Sequence, residues 1–282
     1  MSSPHSGAPV PTHLYSGHHA IGLKAALRDL FEGLMLWELW GRLCWNEIRR
    51  RYRRTAIGPM WVSISLGVFA LVLSVVWSAL FNLNVREYLP FLLSGMLPWT
   101  MLAGCLSEAS FTFVTAESMM KSRQFPYTML IHVVVARNLI IFGHNLIVYI
   151  LAAVFCGVAF TGHTLLIFPG LLLLVVNLSW MTLFTAILCL RFRDFQQIIT
   201  LMLQIAMLIT PVFWPASQLT GRKTILVDAN LLYHLIEVVR EPLLGKSAPV
   251  HSYVFCIATA VVGWVAAITM LTKKRHRLVY WF

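Results

Sequence analysis

A run of arginines stands directly ahead of the first long apolar stretch of this sequence. The run reads Arg49-Arg50-Arg51-Tyr52-Arg53-Arg54, and the chain then meets Gly58-Pro59, a pair that breaks helices. A guanidinium group binds phosphate through two parallel hydrogen bonds. We therefore predict a site for an anionic lipid headgroup, and an ordinary basic membrane anchor is the alternative. The predicted headgroup site comprises Arg49, Arg50, Arg51, Arg53, Arg54, Gly58, Pro59 and Trp61.

A second group of polar side chains lies in an otherwise apolar segment later in the chain. Glu237 and Arg240 are three residues apart, and Glu237 and Glu241 are four apart, so the three share one face of a helix. This face predicts a polar, hydrogen-bonded gate at the outer mouth of a membrane path. A helix that rests on the lipid surface without gating is the alternative. The predicted gate comprises Tyr233, His234, Glu237, Arg240 and Glu241.

Catalytic and metal-binding patterns are missing from the sequence. It contains no Asp-x-Asp or His-x4-Asp cluster, and its five cysteines have no CxxC spacing. The one Gly-Lys pair, Gly245-Lys246, has Arg240 where a phosphate-binding P-loop needs its first glycine. We therefore predict no catalytic residue, no metal site and no ATP site in this chain.

The composition places these residues in a membrane protein. Of the 282 residues, 59% are hydrophobic and 12% are charged, whereas soluble domains carry roughly 25% charged residues. A transmembrane helix needs about 20 apolar residues, and the intervals that lack Asp, Glu, Lys and Arg predict about six such helices. The predicted spans lie near 60–82, 89–111, 134–160, 165–190, 196–214 and 251–272.

The positions of the basic residues predict the orientation of these spans. With the N-terminus inside, the inside segments hold 16 of the 22 Lys and Arg residues and the outside loops hold five, with Arg137 near a boundary. Cytoplasmic loops are enriched in Lys and Arg. We therefore predict a multi-pass protein of the bacterial inner membrane with both termini in the cytoplasm. The net charge of +11 then faces anionic membrane lipids, which argues against nucleic-acid binding.

Four regions follow from these patterns. Residues 1–22 are polar, which predicts a disordered tail. Residues 23–56 carry Leu and Trp at helical spacing, which predicts an amphipathic helix in the cytoplasmic membrane surface. Residues 57–272 form the predicted transmembrane domain, with short re-entrant or gate helices before the last span, and 273–282 form a basic cytoplasmic tail. The predicted fold class is an all-α integral membrane protein.

Five motifs resemble those of the ABC-2 type permeases that export polysaccharide. The similarity runs from about residue 25 to the C-terminus, in the order and on the membrane sides of that family. It is greatest for exporters of O-antigen (lipopolysaccharide), and exporters of capsule and teichoic acid are near relatives. The motifs are RYRRTAIGPMW at 51–61, KSRQFP at 121–126, RNLIIFGHN at 137–145, RFRD at 191–194 and LYHLIEVVREPLLG at 232–245.

The resemblance implies partners and a substrate. It implies a homodimer of this subunit bound to two copies of a separate ABC ATPase, which would bind ATP and Mg²⁺. It implies the export of a polysaccharide linked through pyrophosphate to a polyprenyl lipid. It also implies that the linker after the second span couples to the ATPase, whereas the residues alone fit an ordinary loop equally well. The predicted coupling residues are Glu117, Lys121, Arg123, Gln124 and Phe125.

A channel for polysaccharide needs aromatic rings, on which sugar rings stack, and hydroxyl groups that bind sugar hydroxyls. The first span offers Ser63, Ser65, Ser74 and Ser78 beside its aromatic residues. An aromatic stripe in a membrane helix is also typical of packing or of an interfacial belt, and this alternative stays open. The residues predicted to line the channel are Phe69, Trp77, Phe81, Gln204, Phe213 and Trp214.

Arg137 is expected to pair with Glu108 near the cytoplasmic side.

Two other functions, a membrane-embedded enzyme and an exporter of drugs or small lipids, fit the sequence less well. A membrane-embedded enzyme acting on polyprenyl-linked sugars would need clustered carboxylates or a His–acid pair at one membrane face, which the sequence lacks. An ABC-2 exporter of drugs or small lipids often carries a large external domain or a fused ATPase, and the sequence has neither. The patterns favour a polysaccharide export permease without enzymatic activity, with capsular polysaccharide or teichoic acid as alternative substrates.

Overall fold

Every secondary-structure element in the described part of the chain is helical. The computed structural model describes residues 22–51, 58, 60–122, 125–216 and 225–282. Within these ranges the predicted all-α membrane fold is confirmed. The helices are α1 (Leu23–Met35), α2 (Trp37–Arg51), α3 (Met60–Phe81), α4 (Val85–Thr115), α5 (Glu117–Ser122), α6 (Thr128–Cys156), α7 (Ile167–Arg191), α8 (Phe195–Ile209), α9 (Ile225–Asp228), α10 (Leu231–Leu243) and α11 (Val250–Lys274), with 3-10 helices at Gly162–Leu166 and Arg275–Trp281.

Five of the described helices are long and apolar enough to cross a membrane. They are α3, α4, α6, α7 and α11, the last two together with their adjoining 3-10 helices. The shortest of them, α3, has 22 residues. At about 1.5 Å per residue it is about 33 Å long, which exceeds a hydrocarbon core of roughly 30 Å. Each of the five corresponds to one predicted span.

The sixth predicted span, 196–214, forms a shorter helix than expected. Helix α8 has 15 residues and is therefore about 22 Å long. It ends at Ile209 because Thr210 precedes Pro211, and a proline ring disfavours helical geometry at the residue before it. Thr210 accordingly has φ −76° and ψ 136°. The described residues thus contain five long spans and one short apolar helix beside them.

Helix α4 occupies the centre of the bundle. It packs against α3, α6, α7, α8 and α10, and Leu92, Leu93, Leu97 and Leu102 are buried along its length. Helices α3 and α8, by contrast, leave many large apolar side chains exposed. Lipid tails are as apolar as these side chains, so close packing, rather than exclusion of water, holds such helices together. The bundle therefore has a packed centre and exposed apolar faces on its outer helices, of which α3 and α8 are two.

The predicted amphipathic helix over 23–56 is divided at Leu36. Helices α1 and α2 both pack against α6, and the break between them allows each to do so. The indole N–H of Trp40 donates to the carbonyl of Leu34 at 3.3 Å. This bond satisfies one of the carbonyls in the last turn of α1, which have no backbone N–H partner within the helix.

The outward face of α1 is apolar. Leu27, Phe31 and Leu34 are exposed there, as a helix lying in a membrane surface requires. Residues 52–56 of the predicted amphipathic helix lie outside the described residues, and so do residues 1–21 of the predicted tail.

The segments predicted to be cytoplasmic meet at one end of the bundle, where a buried carboxylate joins them. Asp29 of α1 is 1% exposed, and its side chain accepts hydrogen bonds from the backbone N–H groups of Tyr127 (3.3 Å) and Thr128 (3.1 Å). These N–H groups lack helical partners because α6 begins there. Arg275, after α11, donates to the same carboxylate at 2.9 Å. We call this group the Asp29 clamp.

Candidate functional site

An open crevice of about 400 Å³ lies between α3, α4 and α6, next to the end of α2. Arg51, Glu108, Asn138 and Asn145 form its polar wall, and Phe69 belongs to its apolar wall. Polar side chains among long apolar helices are costly unless they are paired or face water, and they point to function. The crevice is therefore the first part of the candidate site.

The carboxylate of Glu108 binds two arginines and an asparagine at this crevice. Its Oε1 accepts a hydrogen bond from Arg51 at 3.1 Å, and its Oε2 accepts from Arg137 at 2.6 Å and from Asn138 at 2.8 Å. Arg137 also forms an ion pair with Glu47 of α2. The expected pairing of Arg137 with Glu108 is confirmed. Arg51 has 55% of its side chain exposed, so it is the member that can exchange its carboxylate for another anion.

The predicted headgroup site adjoins the crevice. Arg49, Arg50 and Arg51 form the last turn of α2 and are exposed. Gly58 has φ +63°, a left-handed conformation that favours glycine. Trp61 is exposed in the first turn of α3. The other three predicted members, Arg53, Arg54 and Pro59, lie outside the described residues.

Three of the four serines of α3 pack inside the chain, whereas Ser65 is exposed and lines the crevice. Ser63, Ser74 and Ser78 are buried, and Ser63 donates to Oδ1 of Asn145 at 2.8 Å. Small hydroxyl side chains let membrane helices approach closely and hydrogen-bond to one another. The expectation that these three serines line a channel is wrong, because they form the contact of α3 with its neighbours.

The residues predicted to line a channel lie at different levels of the bundle. Phe69 lies in the crevice, and Gln204 is exposed on α8. Trp77 and Phe81 lie near the other end of α3, with ring centroids 5.3 Å apart. The side chains of these four residues are exposed or half-buried. One copy of the chain does not arrange them around a single cavity.

Tyr88 connects the C-terminal ends of α3 and α8. Its ring is stacked on Trp77 at 6.3 Å between centroids and 7° between planes. Its hydroxyl donates to the carbonyl of Phe213 at 2.5 Å. Phe213 and Trp214, both predicted to line the channel, follow α8 and are half-buried. Tyr88 was not predicted from the sequence because it belongs to no motif, and its place at the start of the second span was the only available signal.

Arg240 is buried in the last turn of α10, with 2% of the residue exposed. Its Nη1 donates to the carbonyl of Pro211 at 2.7 Å and its Nη2 to that of Val212 at 2.9 Å. Its guanidinium lies 4.5 Å from the ring centre of Phe91. A Cβ at Gly95 would overlap the guanidinium, so this position of α4 requires glycine.

Three successive carbonyls beyond the end of α8 are thus held by side chains. Arg240 binds the first two, at 211 and 212, and Tyr88 binds the third, at 213. No helix satisfies these carbonyls, because α8 stops at Ile209. Unpaired carbonyls inside a membrane bundle would cost several kcal/mol. We call this arrangement the outer clasp.

All five predicted gate residues lie on α10, which packs against α4, α7 and α11. Nε2 of His234 donates to the carbonyl of Asp228 at 2.8 Å, and this sets the tautomer, so the Ser252 hydroxyl donates to Nδ1 at 2.9 Å. Burial lowers the pKa of His234, so the ring is neutral near pH 7. Asp228 and Ser252 belong to no sequence motif and were missed. Glu237 is buried one turn after Tyr233, and Glu241 is half-buried.

The predicted coupling segment is a short helix followed by a buried aromatic residue. In α5, Lys121 pairs with Glu117 at 2.6 Å, and both side chains are about half exposed. Phe125 is 4% exposed, and its ring meets that of Tyr127 edge to face. Phe125 therefore packs inside this chain and leaves Glu117 and Lys121 at the surface. The remaining two predicted coupling residues, Arg123 and Gln124, lie outside the described residues.

The sequence is similar to those of known membrane transport proteins. Residues 38–244 match the family model of the ABC-2 type transporter. The chain belongs to this family. The ABC-2 match begins in α2 and ends directly after α10, so it contains the crevice, α5 and the outer clasp. Membership makes the chain a multi-pass membrane component of an ABC transporter, which works with an ATPase partner.

Three ABC-2 relatives are named for the same transport system. Two from Klebsiella pneumoniae are named O-antigen export system permease protein RfbA, and each is 20% identical over 237 residues, covering 82% of this chain and 90% of the relative. One from Myxococcus xanthus bears the same name and is 25% identical over 194 residues, covering 68% of this chain and 72% of the relative. The similarity extends over most of each protein.

In the ranges that the structure describes, no group of three or more His, Cys, Asp or Glu residues could hold a metal ion. All five cysteines are free thiols, and four of them are buried. What the described site offers is a set of charges and hydrogen bonds at the two ends of a membrane bundle.

Proposed function

We propose that this chain is the permease subunit of an ABC transporter that exports O-antigen polysaccharide, carried on polyprenyl pyrophosphate, across the bacterial inner membrane. The observation that carries the proposal is the similarity to relatives named for O-antigen export, which covers 82% of this chain and 90% of the relative. Hydrolysis of ATP takes place in a separate subunit, which binds the nucleotide and Mg²⁺. This chain itself has no enzymatic role.

The chain has both termini in the cytoplasm. The bias of 16 inside against five outside Lys and Arg residues supports this orientation. It is also supported by the Asp29 clamp, which joins α1, the start of α6 and the segment after α11 at one end of the bundle. The outer clasp then lies on the periplasmic side.

Two copies of the chain form the channel, with α3 and α8 facing one another across it. Helix α8 has no buried residue, and α3 exposes Phe69, Val72 and Val76. Gln204 adds a polar amide on α8 that would be costly against lipid tails. A second copy covers the apolar parts of these faces and leaves this amide in a water-filled path.

The lipid-linked substrate enters beside the arginines of α2 and the crevice. Arg49 and Arg50 are exposed, and Arg51 pairs with Glu108 at 3.1 Å. A pyrophosphate carries more charge than one carboxylate and accepts the planar guanidinium fork in the same way. The headgroup therefore binds the three arginines and draws Arg51 away from Glu108.

The double variant Arg49→Ala/Arg50→Ala is expected to lower surface polysaccharide about fivefold or more, because two cations that attract the anionic headgroup are lost. Surface polysaccharide is measured by immunoblot, with membrane insertion checked by protease protection. Arg42→Ala is the matched control, because it removes an exposed arginine from the same helix two turns earlier. Equal export by the double variant and the control would contradict the headgroup site.

The ATPase acts on the cytoplasmic end of the permease through α5. The exposed pair Glu117 and Lys121 supports contact with a partner. Phe125 is buried beside Tyr127 at the start of α6 and supports a different role, which is to transmit displacement of α5 into that span. Arg123 and Gln124 complete the proposed coupling segment.

Deletion of the gene tests the proposed function directly. Surface O-antigen is expected to disappear, while polymer linked to polyprenyl pyrophosphate accumulates on the cytoplasmic side of the membrane. Lipid extraction and immunoblotting of intact cells measure the two pools, and a plasmid copy of the gene is the control. Normal O-antigen together with loss of capsule or teichoic acid would assign the chain to one of those polymers. Normal display of all three would refute polysaccharide export.

A further inference from the structure

Residues 275–282, after the last span, fold back against the cytoplasmic end of the bundle. They form the 3-10 helix Arg275–Trp281, and Leu278 in its middle is fully buried. Trp281 and Phe282 pack against the core of the bundle. Tyr280, between them and Leu278, is 84% exposed. This basic segment therefore has an inner apolar face and an outer face, rather than being solvated on all sides.

Two of the three aromatic residues of this segment, Trp281 and Phe282, each meet a cation from a different cytoplasmic connection. The ring of Trp281 lies 5.4 Å from the guanidinium of Arg191, the last residue of α7. The ring of Phe282 lies 5.3 Å from Nζ of Lys121 in α5. Cations attract aromatic faces at such distances. Adjacent residues thus connect α5 to the end of α7.

The other end of the segment is fixed to the bundle. Arg275 donates to the buried Asp29 carboxylate at 2.9 Å, and its guanidinium lies 5.8 Å from the ring centre of Tyr127. Asp29 lies in α1, and Tyr127 is the residue directly before α6. The segment therefore has one anchored end and one end that contacts two loops.

Helix α8 begins four residues after Arg191, beyond a turn at 192–194. Any displacement of Arg191 is thus passed to the first turn of α8 through a very short connection. Arg191 also lies over the ring of Phe192 at 5.5 Å, so its guanidinium contacts both that ring and the ring of Trp281. The end of α7 is consequently a place where movement of residues 275–282 reaches α8.

We propose that residues 275–282 form a strut that makes α5 and the α7–α8 turn move together, with Trp281 and Phe282 as its positioning residues. The proposal rests on the proposed function, in which the ATPase displaces α5 and α8 lines the channel. Displacement of Lys121 moves Phe282, Trp281 follows as its neighbour, and Arg191 carries the movement to α8. The strut adds a route from α5 to α8 that does not pass through the helices between them.

Hydrogen exchange on the purified full chain in detergent tests the strut without any substrate or ATPase. In Trp281→Ala/Phe282→Ala, backbone exchange is expected to rise about tenfold in α5 and in the α7–α8 turn together, because both lose a cation–aromatic contact. Tyr280→Ala is the matched control, since it removes an exposed ring from the same segment and is expected to change neither.

A second variant leaves the strut in place and removes the cation that it touches. In Arg191→Gln, exchange is expected to rise in the turn and also in α5, although the substitution is far from α5 in sequence. This variant keeps the test decisive if the double variant aggregates. A rise that stays within the substituted segment would overturn the strut.

Measurement of polysaccharide export distinguishes a failure of the strut from a failure of the proposed function. In cells that lack the gene, the wild-type copy restores surface polysaccharide if the proposed function is right, and its failure would refute that function alone. The variant Trp281→Ala/Phe282→Ala is expected to restore it about fivefold less well at equal membrane protein level, as loss of coupling between two sites predicts, whereas Tyr280→Ala restores it fully. Full restoration by the double variant would overturn the strut.

Discussion

Arg240→Ala is expected to lower the thermal unfolding temperature of the purified protein by roughly 10 °C. The substitution leaves two carbonyls without donors, at Pro211 and Val212, and Glu237 without the nearest opposite charge. Removing one partner from a buried ionic group costs about 3–5 kcal/mol. Each kcal/mol shifts the transition of a domain of this size by about 2–4 °C. Unfolding is followed by tryptophan fluorescence in detergent.

Export is expected to fail in the same variant, because the outer clasp fixes the segment that carries Phe213 and Trp214. Two comparisons make the result specific to the clasp. Arg86→Ala removes an exposed arginine at the same end of the bundle and is expected to be neutral. Arg240→Lys keeps the charge and loses the planar fork, so it is expected to restore only part of the stability. Equal stability of Arg240→Ala and Arg86→Ala would contradict the clasp.

Asp29→Ala is expected to produce a loss of similar size at the opposite end of the bundle. It leaves Arg275 without its carboxylate, although that side chain is only 11% exposed. It also removes the acceptor that the first N–H groups of α6 use. An uncompensated buried charge costs about 3–5 kcal/mol, and we expect α1 to detach from the bundle. Proteolysis of the purified protein between α1 and α2 measures this detachment.

Glu32→Ala is the matched control for this prediction. Glu32 lies one turn after Asp29 on the same helix and forms only an exposed pair with Arg28. Exposed pairs contribute little to stability, so we expect no change in proteolysis. Asp29→Asn keeps one acceptor oxygen, which can still serve the N–H of Thr128, and replaces the oxygen that Tyr127 and Arg275 use with an uncharged amide. It therefore separates the cap at Thr128 from the ion pair with Arg275. Unchanged proteolysis in Asp29→Ala would show that the clamp does not hold α1.

The sequence predicted those features of the fold that depend on long apolar intervals or on the positions of charged residues. The five long spans follow from the length of chain that a bilayer demands, and the segments predicted to be cytoplasmic from their arginine and lysine residues meet at one end of the bundle. The pairing of Arg137 with Glu108 was also predictable, since an arginine near a membrane boundary needs a carboxylate and α4 offers one at the right depth.

Contacts between distant parts of the chain were not predictable from the sequence. Asp29 reads as one more polar residue of an amphipathic helix, yet it caps a helix that begins 99 residues later. Tyr88 belongs to no motif, and its partner is a backbone carbonyl. The serines of α3 suit a channel and a helix contact equally well as residue types, and only the packing distinguishes the two. Propensity and periodicity do not encode such pairings.

The short length of α8 affects the lipid around this protein. A helix of about 22 Å in direct contact with lipid would force the bilayer, roughly 30 Å thick in its hydrocarbon region, to thin beside it, at a cost for each ångström of mismatch. Enclosure of α8 between two copies of the chain would remove this penalty, because protein and water would then replace acyl chains along its length. Hydrophobic mismatch therefore favours the assembled transporter over the isolated subunit, and it does so more strongly in thicker membranes.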